Sequence, residues 1–253
     1  MEAKTEALKE LVNNPVSRRD FAARTMAGLA GAGALLAWEP TRVLANSALT
    51  DVDILNFALN LEYLEAEFYT VGVTGQRIQD LGIGVTGTGR AGATVGGGKV
   101  ALDERTLFIS RHIALDEQQH VKFLRTALGS AAVAKPAINL DALGLGFSNQ
   151  NEFLTVASIF EDVGVSAYAG AAPLIDSPEI LGAAARIALT EGQHAGVLRL
   201  LAADNRLPIP KVDAKAIPTI GVENGRLFFV LGNGLSQVRT TSEVLSIVYA
   251  GGT

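Results

Sequence analysis

The chain has 253 residues, 48% of them hydrophobic, which is enough apolar material for one sizeable domain. It contains no cysteine, so disulfides, thiolate metal sites and cysteine nucleophiles are excluded together. The formal net charge is -5 and the Lys and Arg residues are scattered, without a basic block, which argues against nucleic acid as a partner.

Residues 1–16 are mostly polar and lead into Ser17-Arg18-Arg19-Asp20-Phe21. A weakly hydrophobic stretch rich in Ala, Gly and Leu follows from Met26 to Trp38, and Val43-Leu44-Ala45 offers small residues where a signal peptidase reads. This order resembles a twin-arginine export signal. It predicts a signal peptide over 1–45, recognition by the twin-arginine export machinery, and a periplasmic or otherwise exported mature chain. The alternative is a cytosolic chain with an amphipathic N-terminal helix. Beyond residue 45 no uninterrupted apolar run is long enough to span a membrane.

A first helix is predicted from about Asp51 to Val71, capped by Thr50 with Asp53, with Leu55, Ala58, Leu59, Glu62, Ala66 and Tyr69 on the helical period. Residues 72–99 then carry ten glycines and read as a long loop. Within it Gly87-x-Gly89-x-x-Gly92 matches a dinucleotide-binding pattern, but no strand–helix context surrounds it, so that reading is rejected. A second helix is predicted from about Asp103 to Leu128, stopped by Gly129. The third follows Ser148-Asn149, with Glu152 as capping partner, and runs to about Ala172. Ser177-Pro178-Glu179 opens the fourth. These helices make a domain over 46–205. In the remainder, 206–253, Pro208, Pro210 and Pro218 forbid a continuing helix. Asn224-Gly225 predicts a short hairpin turn, and Thr240 with Glu243 a final short helix to about Tyr249. This extension is expected to pack on the bundle or on a partner subunit of a homo-oligomer.

An octapeptide is written twice. Ile113-Ala114-Leu115-Asp116-Glu117-Gln118-Gln119-His120 returns as Ile187-Ala188-Leu189-Thr190-Glu191-Gly192-Gln193-His194, and both copies continue into Leu-Arg, at Leu124-Arg125 and Leu198-Arg199. Each is a Glu-x-x-His, which points a carboxylate and an imidazole the same way from a helix. A second repeat places Leu55, Ala58, Glu62 and Tyr69 against Leu154, Ala157, Glu161 and Tyr168, again with one acid in an apolar face. The pattern reads as a duplicated helix pair. If the four helices bundle, four carboxylates and two of the three histidines converge. Buried ionised glutamates cost several kcal/mol each unless paired, protonated or bound to a cation. Two divalent ions balance four carboxylates, and oxygen and nitrogen donors without sulfur suit iron or manganese, with zinc an alternative. His112, off the Glu117 face, reads as a surface residue, and Glu67 as solvent-facing.

On these residues the chain resembles the ferritin-like superfamily of carboxylate-bridged di-metal proteins. The glycine-rich loop, the export signal and the stretch from Leu61 to Tyr69 are similar to the exported bacterial ferritin-like group related to plant desiccation-related proteins. The resemblance implies an all-α antiparallel four-helix bundle with a long loop after helix one and an irregular C-terminal extension. It implies Glu62 and Glu161 as terminal or chelating ligands, Glu117 and Glu191 as bridging ligands, and His120 and His194 as nitrogen ligands of two iron or manganese ions. Tyr69 and Tyr168 would orient ligands, and Glu65 is an alternate ligand. Ferroxidase, peroxidase and manganese catalase-like activities on dioxygen or peroxide all fit. A non-enzymatic structural or stress-protective role is the competing class, and no catalytic residue beyond the metal ligands is singled out.

Overall fold

Four long helices begin at side-chain caps that the sequence spells out, in a computed structural model that describes residues 36–37, 49–217 and 227–249. α1, Asp51–Thr74, starts on Thr50, whose hydroxyl accepts from the Asp53 amide while the Asp53 carboxylate accepts from the Thr50 amide. α2, Glu104–Leu128, starts on Asp103 and stops at Gly129. α3, Gln150–Ala171, is capped by Asn149, and α4, Pro178–Asp204, by Ser177 with proline at its first position. A reciprocal Thr240/Glu243 box opens the short α5, Thr241–Val248. Each cap satisfies amides that the first turn leaves without a helical partner.

α1 packs along α2, α3 along α4, and the pairs meet through α1 against α3 and α2 against α4. α1 is buried without a break from Phe57 to Val73, and α3 almost as fully, whereas α2 and α4 keep exposed outer faces. The segments between helices close over the inner pair. Leu36–Ala37 (β1), Thr94–Val95 (β2) and Ala137–Asn139 (β3) form a small sheet in the order β1-β3-β2. β1 runs antiparallel to β3 and β2 parallel to it. The glycine-rich loop is thereby laced to the linker after α2. Phe68 and Phe153 stack with ring centres 4.9 Å apart, and Phe147, Phe160 and Tyr69 meet Phe68 edge-on.

Three expectations change. α1 runs past Val71 to Thr74, because Gly72 is a packing residue in the helix: a Cβ there would stand 2.3 Å from the Phe153 ring. The loop after α1 is not featureless, since it holds a 3-10 turn at Ile78–Leu81 and β2. Glu67 is not solvent-facing but fully buried. Its carboxylate accepts from the Thr94 hydroxyl at 2.7 Å and the Ile78 amide at 3.3 Å, with Lys135 Nζ 3.6 Å away. Lys135 also donates to the Gly92 carbonyl, so one buried charge pair pins the loop to α1.

Beyond α4 the chain returns to the bundle. Arg239 donates to the Asp213 carboxylate, the Asp162 carbonyl and the Ser166 hydroxyl, and α5 lies against α3. The hairpin turn at Asn224-Gly225 and most of residues 1–45 lie outside the described residues. Among the described residues, no helix is long and apolar enough to cross a membrane.

Candidate metal centre

The lone acids of α1 and α3 and the two Glu-x-x-His turns of α2 and α4 meet in the middle of the bundle. Glu62, Glu117, Glu161 and Glu191 are all fully buried, and His120 and His194 nearly so. Two groups of donors form, each with its ligand atoms within 4.8 Å of one another: Glu62, Glu117, His120 and Glu191, and Glu117, Glu161, Glu191 and His194. Glu117 and Glu191 belong to both groups. His120 Nδ1 lies 3.1 Å from Glu62, 3.2 Å from Glu117 and 3.4 Å from Glu191. His194 Nδ1 lies 3.0 Å from Glu117 and 3.3 Å from Glu161.

The His120 ring is directed well enough to hydrogen-bond Glu62 and Glu117, but the other close approaches are poorly directed. Among the described residues, Glu117 Oε1, both oxygens of Glu161, both of Glu191 and His194 Nδ1 are buried without a hydrogen-bond partner. So many orphaned acceptors in one cluster are what a cation would satisfy. Without one, protons take its place. Burial, with Glu191 beside it, raises Glu117 to about 7, and burial, with Glu161 beside it, raises Glu191 to about 8. Glu161 is also raised, chiefly by burial. Burial would likewise raise Glu62, but the charge and hydrogen bond of His120 bring it below the usual carboxylate range. Burial opposes the charged form of His194, yet Glu161 and Glu117 lift it to about 12, and His120 is raised against burial by Glu62, Glu117 and Glu191.

The two tyrosines differ. Tyr168 donates to Glu62 Oε1 at 2.5 Å, reaching across from α3 to α1. The Tyr69 hydroxyl is buried beside Glu161 but, among the described residues, has no well-directed hydrogen-bond partner. Glu65 is buried one turn from Glu62, its pKa pushed well up by burial and by the carboxylates around it. It faces Gly164, where a Cβ would stand 3.3 Å from Glu65 Oε1 and 2.3 Å from Glu191 Oε2. His112 is exposed and lies outside both groups.

Sequence reasoning does not find one partner in the cluster. Asp116, in the repeated octapeptide, approaches the outer nitrogen of His194 at 3.2 Å. Carboxylate backing of this kind fixes which imidazole nitrogen faces a metal. The only signal is that Asp116 directly precedes Glu117, and its target is on another helix.

The profile of a family described as "Ferritin-like domain" matches residues 50–204. The desiccation-related protein PCC13-62 of Craterostigma plantagineum is 25% identical over 169 residues, which are 60% of this chain and 53% of that protein. The chain thus spans about half the length of the curated relative it matches. No solved structure matches it. The profile match takes in all four long helices and every residue of the two donor groups, and the chain belongs to the ferritin-like domain family.

Proposed function

We propose that this is an exported ferritin-like protein whose bundle holds a carboxylate-bridged pair of iron or manganese ions that reacts with dioxygen or peroxide; zinc, the alternative occupant, has no redox chemistry and would fit only a bracing role. The observation that carries the reading is the sharing of Glu117 and Glu191 between two buried donor groups, with oxygens that lack hydrogen-bond partners. Glu62 and His120 would complete one ion's ligands, and Glu161 and His194 the other's. When bound, two adjacent redox-active ions supply the electrons that reduce dioxygen or peroxide.

The chain's own residues prepare the place. Tyr168 ties down one oxygen of Glu62 and leaves the other directed at His120. Asp116 orients His194. The surrounding Leu, Phe and Ala side chains exclude bulk water, which strengthens attraction between the carboxylates and a cation. Export by the twin-arginine machinery to the periplasm belongs to the same reading, on the strength of Arg18-Arg19 and the apolar stretch after them.

A second reading is favoured by the name of the relative, which describes desiccation and no reaction. In it the ions only brace the helices and the protein protects against stress. Metal analysis of the purified protein, followed by peroxide consumption and oxygen-dependent Fe(II) oxidation, separates the two. The catalytic reading requires turnover that vanishes in Glu117→Ala and His194→Ala. Bound metal without turnover, in a protein whose variants merely melt earlier, supports the brace. A folded protein that takes up no metal refutes the proposed centre.

A further inference from the structure

The Leu-Arg that closes each repeat divides into a core residue and a polar one. Leu124 and Leu198 are core, while Arg125 and Arg199 occupy matching positions and make matching joints. Arg125 on α2 donates to the Tyr63 hydroxyl on α1 at 2.5 Å and to the Thr86 carbonyl at 2.6 Å. Arg199 on α4 donates through Nε to Asp162 Oδ1 on α3 at 2.9 Å, pairs with Oδ2 through Nη2, and reaches the Ile217 carbonyl at 2.9 Å.

The acceptors correspond. Tyr63 directly follows Glu62, and Asp162 directly follows Glu161. Thr86 lies in the glycine-rich loop and Ile217 in the C-terminal extension, the segments appended to the first and second halves. Each segment also covers its guanidinium. A Cβ at Gly84 would stand 3.1 Å from Arg125 Nε, and the Phe229 ring centre lies 5.1 Å from the guanidinium carbon of Arg199.

We infer that Arg125 and Arg199 are equivalent positioning residues, each holding the helix with the lone carboxylate in register with the helix bearing the Glu-x-x-His. The inference rests on the di-metal reading above. A guanidinium is a rigid fork of directional donors, so bonding to the residue next to a ligand restricts both the sliding and the rotation of that turn. Metal sites need their donors held within about 0.5 Å, which apolar packing alone does not guarantee. The buried Arg199–Asp162 ion pair contributes little net stability compared with apolar packing of the same volume, and Arg125 makes the matching joint with no ion pair, so geometry is the better account of an arginine present twice with different acceptors.

The test uses the full chain, stripped of metal and titrated with Mn(II), with bound ions counted and their electron paramagnetic resonance recorded. The wild type is expected to show a magnetically coupled pair. Arg125→Met and Arg199→Met are each expected to weaken one ion about tenfold, replacing the coupled signal by that of an isolated ion. Arg199→Met leaves Asp162 without that guanidinium and can fail to fold, so Arg199→Met/Asp162→Leu is measured beside it. Tyr63→Phe removes only the hydroxyl from the first joint and is expected to shift binding in the same direction. Folded variants that keep wild-type affinities and the coupled signal overturn the inference and leave the metal centre standing. A wild type that binds no Mn(II) overturns the centre and the inference together.

Discussion

Laid on each other, the two halves of the duplication match Glu62, Tyr69, Glu117, His120 and Arg125 with Glu161, Tyr168, Glu191, His194 and Arg199, whereas Tyr63, Glu65 and Asp116 fall on Asp162, Gly164 and Thr190. The matching residues include every donor of the two groups, and the differing ones surround them. Gly164 and Glu65 are complementary, since the half that gives up a side chain makes room for the extra carboxyl of the other. Two chemically equal ligand sets therefore sit in unequal surroundings.

The largest break in this comparison comes from a shared donor. Glu117→Ala is expected to abolish binding of both ions, while Glu62→Ala, which touches one group only, is expected to leave one ion per chain. Elemental analysis of the two folded variants decides it. Equal loss in both would mean that the groups do not act as two positions sharing a carboxylate.

The next break separates the two arginine joints by stability. Asp162→Ala removes the carboxylate that the fully buried Arg199 bonds through Nε and Nη2, and is expected to cost about 3 kcal/mol. Tyr63→Phe removes the hydroxyl that accepts from the half-buried Arg125 and donates to the Val133 carbonyl, and is expected to cost about 1–2 kcal/mol. Urea unfolding of the metal-free chains measures the difference.

Legibility in the sequence follows the same division between donors and surroundings. The donors can be recognised because each interrupts an apolar helical stripe, and such interruptions are local: Glu62, Glu117, Glu161 and Glu191 each stand out on a face of their own helix. The caps at Thr50, Ser177 and Thr240 are local in the same way. What escapes depends on pairs distant in the chain. Glu67 reads as solvent-facing because its partners, Thr94 and Lys135, arrive only when the loop and the linker fold back over α1. Gly72 reads as the start of the loop because Phe153, which demands a glycine there, lies on another helix. Asp116 and the arginines are visible as letters, but their partners on other helices are not.

pH acts on both halves at once and sharpens the contrast between metal-free and loaded protein. Above the ordinary carboxylate value of 4.5, the folded metal-free chain retains protons on Glu117 and Glu191, raised to about 7 and about 8, that the unfolded chain has released. Above 6.5 it likewise retains them on His120 and His194. The folded state thus binds more protons, and the stability these groups contribute falls as pH rises from near 5 through about 8, and beyond for the histidines. Glu62, shifted the other way, withdraws its contribution only as pH falls below 4.5. Metal displaces these protons, so the excess in melting temperature of loaded over metal-free protein is expected to widen between about pH 5.5 and about pH 8.5. A constant gap in thermal melts would show that binding displaces no protons from the cluster.

The smallest effect tests the inequality itself. His194 has Nδ1 beside the carboxylates and Nε2 3.2 Å from Asp116, so the outer nitrogen must carry the proton if the inner one binds metal. The carboxylate stabilises that tautomer and makes the inner nitrogen a better donor. The corresponding Thr190 instead donates its hydroxyl to the Arg186 carbonyl of its own helix. Asp116→Asn is therefore expected to weaken the ion on the His194 side by about tenfold, the low end for such partners because the Asp116 side chain is 52% exposed. Thr190→Asp, which writes the first half's acid into the second, is expected to tighten the ion on the His120 side. Mn(II) titrations of both variants would then move the two affinities in opposite directions. If both variants leave the affinities unchanged, the asymmetry around the ligands has no bearing on how the ions are held.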